Sequence, residues 1–257
     1  MPDVRALRAQ IAAIEAGARR EAGVLAFGAP ELDAHLPGGG LPLGRWHELI
    51  GEGLETETAA APAAFAALMA APLARRGQAV WVLRRDDLFA PGLAGLGFPA
   101  DRLIQVCARD EAEALSVAEN ALATAGVAAV FAEVDEVDLT AGRRLQLACE
   151  RRGGVGFVIR RRPYGGGAER AAGSAAATRW RVASAPSAPA AFGLGAPRWQ
   201  ASLERCRGGR PGAWILEASA AFDPSSWEET DGTHPLRLVA ALGDRQLAPA
   251  HPLRLAG

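Results

Sequence analysis

Short apolar segments alternate with longer amphipathic segments along the first two thirds of the chain. The apolar segments have the length of buried strands and predict strands at Arg45–Ile50, Ala79–Arg84, Leu103–Cys107, Val127–Ala132 and Val155–Arg160. The segments between them have helical periodicity and predict helices at Ala60–Arg75, Glu111–Ala125 and Leu139–Arg152. Strands that alternate with helices of this length form right-handed βαβ units. The pattern therefore predicts an α/β fold, with a mostly parallel twisted sheet that carries helices on both faces.

The alternation ends after Arg162. Pro163–Ala177 is rich in Gly, Ala and Ser and predicts a mobile loop. Strand patterns follow at Thr178–Ser184, Arg198–Cys206 and Ala213–Ala218, and the last two are joined by a Gly-rich hairpin connection. We therefore expect antiparallel strands toward the C-terminus, and Leu236–Leu242 predicts one more strand at the edge of the sheet.

These patterns divide the chain into three parts. Residues 1–22 predict an amphipathic helix, residues 23–218 form the core, and residues 219–257 contain a linker, the edge strand and a tail. The apolar stripe of the first helix consists of Val4, Leu7, Ile11 and Ile14. Two interpretations stay open for this stripe, namely assembly with another subunit or partner and packing against its own core.

Composition narrows the class of protein. Hydrophobic residues make up 49% of the 257 residues and charged residues 22%, and no apolar run approaches the roughly 20 residues that span a bilayer. The charged N-terminus lacks the pattern of a signal peptide, so we expect a soluble, cytoplasmic protein. Cys107, Cys149 and Cys206 lie far apart and predict neither a disulfide framework nor a metal site.

The strand Arg45–Ile50 leads into a segment with the position, but not the chemistry, of a phosphate-binding loop. Such a loop reads Gly, four residues, then Gly-Lys-Ser/Thr, and it joins a strand to a helix. Gly51 and Thr58 hold the first and last positions, but Thr56 replaces the second Gly and Glu57 replaces the Lys. The chain contains no lysine at all. We therefore predict that this protein is not an ATP-hydrolysing enzyme and uses no nucleotide cofactor.

The segment before this loop resembles the corresponding stretch of RecA/RadA ATPases. The shared pattern runs from Leu32-Asp33 through Gly38-Gly39-Gly40-Leu41-Pro42-Leu43-Gly44-Arg45 to Glu48. The ending His47-Glu48-Leu49, the degenerate loop and the Arg-rich second half are similar to the ImuA family, which comprises RecA-like, SulA-related proteins of bacterial SOS mutagenesis cassettes. The resemblance extends over about residues 23–218.

This resemblance implies a non-catalytic accessory protein of SOS-induced translesion DNA synthesis and mutagenesis. It implies contacts with an ImuB-like homologue of Y-family polymerases and with an error-prone C-family DNA polymerase, and RecA is a further candidate partner. Two alternatives stay open. One is a SulA-like inhibitor of cell division that binds FtsZ, and the other is a DNA-dependent ATPase with an unusual phosphate loop.

The resemblance also assigns candidate positions to acidic residues of an ATPase site. Asp86 or Asp87 would supply the catalytic carboxylate, and Glu133 would supply the magnesium-site acid. We favour the simpler interpretation that these residues and their neighbours Asp135, Glu136 and Asp138 are solvated loop charges. Other conspicuous side chains have structural interpretations too: His47 as a hydrogen-bonded residue of the interior, Trp46, Trp180 and Trp199 as core or edge-packing residues, and Trp227 as local packing in preference to a partner anchor.

Arginine is concentrated in the middle of the chain. Between Arg143 and Arg181 there are ten Arg against two acidic residues. In the RecA family, the loops in the corresponding positions face DNA, so weak, salt-dependent binding of single-stranded DNA is expected here. The alternative is a solvated face in a chain that uses Arg in place of Lys. The candidate residues for contact with DNA or a partner are Arg160, Arg161, Arg162, Arg179 and Arg181.

Overall fold

The computed structural model describes residues 23–53, 60–161, 174–189, 195–218 and 236–242. The helices in these ranges are α1 (Pro30–Asp33), α2 (Ala60–Ala74), α3 (Ala90–Leu93), α4 (Glu111–Leu122) and α5 (Leu139–Arg152). The strands are β1 (Val24–Leu25), β2 (Leu41–Pro42), β3 (Trp46–Gly51), β4 (Gln78–Leu83), β5 (Leu103–Cys107), β6 (Val127–Val134), β7 (Val155–Arg160), β8 (Thr178–Ala185), β9 (Arg198–Cys206), β10 (Gly212–Ala218) and β11 (Leu236–Leu242).

One large sheet organises the described residues. Its strand order is β11-β10-β9-β8-β3-β7-β6-β4-β5, and β1 and β2 form a separate antiparallel pair. The strands from β8 to β5 in this order pair in parallel with one another, whereas the pairs from β8 to β11 are antiparallel. The predicted α/β fold class, with a mostly parallel sheet and antiparallel strands toward the C-terminus, is confirmed.

Helices cover the two faces of the sheet differently. On one face lies α2, whose Ala-rich sequence is buried on nearly all sides of the helix, and Phe65, Leu68 and Met69 are fully buried there. Trp180 and Trp199 pack in the same core, which confirms their predicted role. On the opposite face, α4 and α5 pack over a second core that includes Trp46, which is 1% exposed.

Local signals in the sequence determine where α4 and α5 begin. The Asp110 side chain accepts a hydrogen bond from the Glu113 N–H (2.8 Å), and the Asp138 side chain accepts one from the Ala141 N–H (2.6 Å). At its other end α5 stops at Gly153, whose φ of 77° lies in the left-handed region that glycine adopts readily. These signals bring the start of α5 close to the carboxyl ends of the parallel strands.

Several sequence-based predictions lie outside the described residues. They concern the N-terminal helix with Val4, Leu7, Ile11 and Ile14, most of the Pro163–Ala177 loop, and the linker with Trp227. Among the helices that the structure describes, none is long and apolar enough to cross a membrane. The cysteines are free thiols: Cys107 is exposed, Cys206 is partly buried, and burial raises the pKa of Cys149 to about 12.

Candidate functional site at the carboxyl edge of the parallel strands

The carboxyl ends of β3, β4, β6 and β7 meet at one edge of the sheet, where α/β proteins commonly bind ligands. The degenerate loop starts here: Gly51 is the last residue of β3, and Gly53 has a φ of 92°. The Glu52 N–H donates to the Val182 carbonyl of β8 (3.2 Å), so this loop amide is already hydrogen-bonded within the protein. The loop residues Thr56, Glu57 and Thr58 lie outside the described residues.

Glu48 is the centre of a buried ion-pair cluster in the middle of the sheet. It lies on β3 and is 1% exposed. Its two carboxylate oxygens accept hydrogen bonds from Arg160 Nη1 of β7 (2.8 Å) and from Arg179 Nε of β8 (2.9 Å). Arg160 Nε also donates to the Asp135 carbonyl (2.6 Å). These contacts tie the central strand to both of its neighbours.

Glu133 forms a second buried cluster near the end of β6. It is 3% exposed and accepts hydrogen bonds from Trp81 Nε1 (2.9 Å) and Arg161 Nη1 (2.8 Å). Arg161 Nη2 donates in turn to Asp87 Oδ2 (2.7 Å). The interpretation of Glu133 as a solvated loop charge is therefore wrong, because its carboxylate is buried and held by Trp81 and Arg161.

Three further acidic residues of this edge, Glu111, Asp135 and Asp138, also have partners in the chain. Arg84 pairs with Asp135 (2.9 Å), and the Glu111 carboxylate accepts hydrogen bonds from the N–H groups of Asp135 (3.3 Å) and Glu136 (3.0 Å). Asp138 caps α5. Unlike these residues, Asp86 follows β4 as an exposed residue, as the loop-charge interpretation predicts.

Those arginines selected from the sequence that the structure describes lie in two kinds of environment. Arg160 and Arg179 are 9% and 7% exposed and face Glu48 in the interior, not an open surface. Arg161 joins Glu133 and Asp87, and Arg181 pairs with Glu204. Arg162 lies outside the described residues. A phosphate could reach the Arg160 or Arg179 guanidinium only if that side chain left Glu48, and DNA contact by this set stays a prediction.

His47 is a structural residue, as its strand context predicts. Burial lowers its pKa from 6.5 to about 4, so the ring is neutral near pH 7. Nε2 lies 3.0 Å from the Pro42 carbonyl oxygen, which can only accept, so Nε2 carries the proton. Nδ1 then accepts from Thr178 Oγ1 (2.8 Å), which itself accepts from Trp180 Nε1 (2.9 Å).

A cleft of about 360 Å³ lies between the first turn of α2 and the segment that follows β4. Its wall is mostly apolar, and the rim includes Phe89, which is 73% exposed. The charged lining groups are Asp87, Glu133 and Arg161, which bind one another. Within the described ranges, no group of three or more His, Cys, Asp or Glu side chains is arranged to hold a metal ion.

Comparison with known proteins identifies the family. No family model matches the chain. Over 252 residues the chain is 58% identical to Protein ImuA of Caulobacter vibrioides strain NA1000 / CB15N, an alignment that covers 95% of this chain and 100% of the relative. The chain belongs to the ImuA family. Protein ImuA of C. vibrioides strain ATCC 19089 / CIP 103742 / CB 15 gives the same values, so the ImuA resemblance inferred from the sequence is confirmed.

A solved structure, SulA from Pseudomonas aeruginosa, is similar to part of this ImuA-family chain. The match has a TM-score of 0.38 and 19% identity, and it covers 45% of this chain and 96% of the SulA chain.

The Glu48 cluster of this ImuA-family chain was not predicted from the sequence. The charged Glu48 inside the predicted buried strand β3 was the available signal, because a buried acid requires a buried cation. The identity of its partners depends on β7 and β8 lying on either side of β3, and spacing along the chain does not reveal that order.

Proposed function

We propose that this ImuA-family chain is a non-catalytic accessory protein of SOS-induced translesion DNA synthesis and mutagenesis. It acts in the cytoplasm through contacts with polymerase-like proteins. The observation that carries the proposal is the state of the carboxyl edge of the sheet, where Asp87 and Glu133, candidates for the catalytic and the magnesium-site acid of an ATPase, are bound to an arginine of the same chain. Glu133 and Asp87 hold Arg161, and Asp135 holds Arg84.

The loop sequence supports the same conclusion on electrostatic grounds. A triphosphate requires a cation and converging amides, whereas this loop carries Glu52, Glu55 and Glu57, and the chain has no lysine. Two like charges about 4 Å apart repel by about 4 kcal/mol at an effective dielectric near 20, which corresponds to roughly a thousandfold in affinity. The beta-branched Thr56 further opposes the close backbone approach that glycine allows.

Calorimetry with ATP and magnesium tests the non-catalytic part of the proposal. We expect no binding heat at about millimolar nucleotide, where a working loop would be saturated. The matched variant Thr56→Gly/Glu57→Lys restores the two missing motif residues, and any affinity that it gains shows that the assay detects binding at this site. Micromolar affinity or hydrolysis by the unaltered chain would instead support the alternative of a DNA-dependent ATPase.

Co-purification tests the contact part of the proposal. A tagged chain, co-expressed with the ImuB-like polymerase homologue and the error-prone C-family polymerase encoded by the same bacterium, is expected to retain one or both of them. Retention should be the same with and without ATP, since no nucleotide takes part. RecA is tested in the same way. Failure to retain any of these proteins, together with inhibition of FtsZ GTPase activity, would favour the role of a division inhibitor.

A further inference from the structure

Three arginines converge at the opposite edge of the sheet, where the parallel strands begin. The Ala177 N–H donates to the Trp46 carbonyl (2.9 Å), and the Arg207 N–H donates to the Ala177 carbonyl (2.9 Å). These bonds bring the end of β9 within about two strand spacings, roughly 10 Å, of the start of β3. Arg205 Nη1 reaches the Ser174 carbonyl in the same corner (2.6 Å). We call Arg45, Arg205 and Arg207 the amino-edge arginines.

The charges of the amino-edge arginines are poorly balanced. Arg45 pairs with Glu150 of α5, whereas Arg205 donates to a neutral carbonyl. Arg207 is exposed, and in the part of the chain that the structure describes no carboxylate lies within ion-pair distance of it. Partial burial and, after it, the positive charges of Arg205 and Arg45 lower the pKa of Arg207. Among the described residues, one carboxylate thus pairs with the three guanidiniums, whereas every described arginine named at the carboxyl edge has a carboxylate partner.

The surroundings of the cluster favour a phosphate ligand over a protein surface. Protein interfaces are built around apolar and aromatic anchors. The segments that carry these arginines, residues 44–45 and 205–212, and the neighbouring residues 174–177 contain none of the large exposed hydrophobic side chains of the described residues. Beside them, Leu147 of α5 is 50% exposed, one turn from Glu150. The turn after Arg207 contains Gly208, which has a φ of 76° and no side chain to block a ligand, and it ends at the exposed Arg210. Clustered guanidinium groups on such a polar turn are suited to phosphate oxygens.

We propose that Arg45, Arg205 and Arg207 form a binding site for the phosphodiester backbone of a nucleic acid. The site lies at the amino edge of the sheet, on the side covered by α5. It is distinct from the carboxyl edge and from the buried Arg160 and Arg179. This inference goes beyond the proposed accessory function and does not depend on it.

Fluorescence anisotropy with a labelled oligo-dT of about 20 nucleotides tests the site, in NaCl from about 25 to 200 mM. Each phosphate neutralised on a single strand contributes about 0.7 to the slope of log affinity against log salt. We therefore expect Arg207→Gln to lower that slope by about 0.7 and to weaken binding at about 50 mM salt by three- to tenfold. The double variant Arg205→Gln/Arg207→Gln should lower the slope by about 1.4.

Arg76→Gln is the matched control, since Arg76 is exposed, has no carboxylate partner among the described residues and lies between α2 and β4. It removes the same charge and should leave the slope unchanged. Arg207→Gln should also melt at or above the temperature of the parent, because it removes repulsion, so weaker binding by this variant cannot be attributed to unfolding.

Three results would overturn the proposal. The first is no binding of the parent chain to the oligonucleotide at the lowest salt concentration, and the second is equal slopes for Arg207→Gln and Arg76→Gln. The third is displacement of the oligonucleotide by poly-L-glutamate as effectively as by unlabelled oligo-dT, which would assign the corner to acidic peptides. A duplex competitor distinguishes a preference for single strands from general recognition of phosphodiesters. None of these results depends on ATP binding or on polymerase partners, so the proposed function is tested separately.

Discussion

At the scale of single residues, Glu48 is the side chain whose charge is expected to matter most for the stability of the sheet. It lies in the interior with two guanidiniums, and each of its oxygens binds one of them. Desolvation of charged groups is unfavourable, and mutual pairing offsets it only while every partner is present. The cluster therefore specifies which strands flank β3 and makes the central sheet sensitive to the loss of one carboxylate.

The substitution Glu48→Gln should strongly destabilise the fold. The neutral amide would keep the size of the side chain but remove the carboxylate charge that the buried Arg160 and Arg179 share, and removing one partner of a buried ion pair costs about 3–5 kcal/mol. Urea denaturation measures the loss. Glu204→Gln is the control, because Glu204 pairs with Arg181 at the surface, and it should cost less than about 1 kcal/mol. Equal losses in the two variants would show that the buried cluster contributes no more than a surface pair.

His47 should make stability depend on pH. Its pKa in the folded chain is about 4, below the ordinary value of 6.5. As the pH falls below about 6.5, the unfolded chain binds a proton that the folded chain does not, so the free energy of unfolding decreases down to about pH 4. The full effect is roughly 3 kcal/mol, at about 1.4 kcal/mol per pH unit.

Denaturation of the parent and of His47→Gln at a series of pH values measures this contribution. Gln can hydrogen-bond but does not titrate, so the variant should lose the decrease between pH 6.5 and 4 that the histidine causes. Parallel curves for the two proteins would refute the assignment of this pH dependence to His47.

At the scale of elements, hydrophobic periodicity predicted most of the sheet and the longer helices. The predicted bounds of β5, β7, β9, β11 and α5 agree with the structure. The strands have clear apolar patterns, and Asp138 and Gly153 mark the two ends of α5. The short α3 and the β1–β2 pair were not predicted, because two to four residues are too few to establish a period and such elements depend on tertiary contacts.

The cap of α5 provides a prediction at this scale. Asp138→Ala removes the acceptor of the Ala141 N–H and should lower the free energy of unfolding by about 1 kcal/mol, whereas Asp138→Ser keeps a capping oxygen and should lose only a fraction of that. Thermal or urea denaturation of the two variants compares them. A serine variant as unstable as the alanine variant would show that the cap hydrogen bond is not what Asp138 contributes.

At the scale of the whole molecule, the sequence predicted the location of the candidate site better than the pairing of its charged side chains. The order of strand, loop and helix placed the degenerate loop at the carboxyl edge of β3, and the structure places Gly51–Gly53 there. The pairing of the charged side chains was not predictable, because Glu48 is 112 residues from Arg160 and 131 residues from Arg179. Such contacts depend on strand order, which local patterns do not encode.

The position of β3 also has a consequence for the synthesis of the protein. This strand is made early, yet both of its neighbours, β7 and β8, begin more than 100 residues later along the chain. By contrast, β4, β5, β6 and α4 follow one another closely and contact one another, so they can assemble as soon as they leave the ribosome. Until β8 with Arg179 emerges, β3 and its Glu48 can have at most one neighbour in the sheet, which is β7. A nascent chain stalled before that point would therefore expose the apolar side chains of β3 to chaperones and proteases.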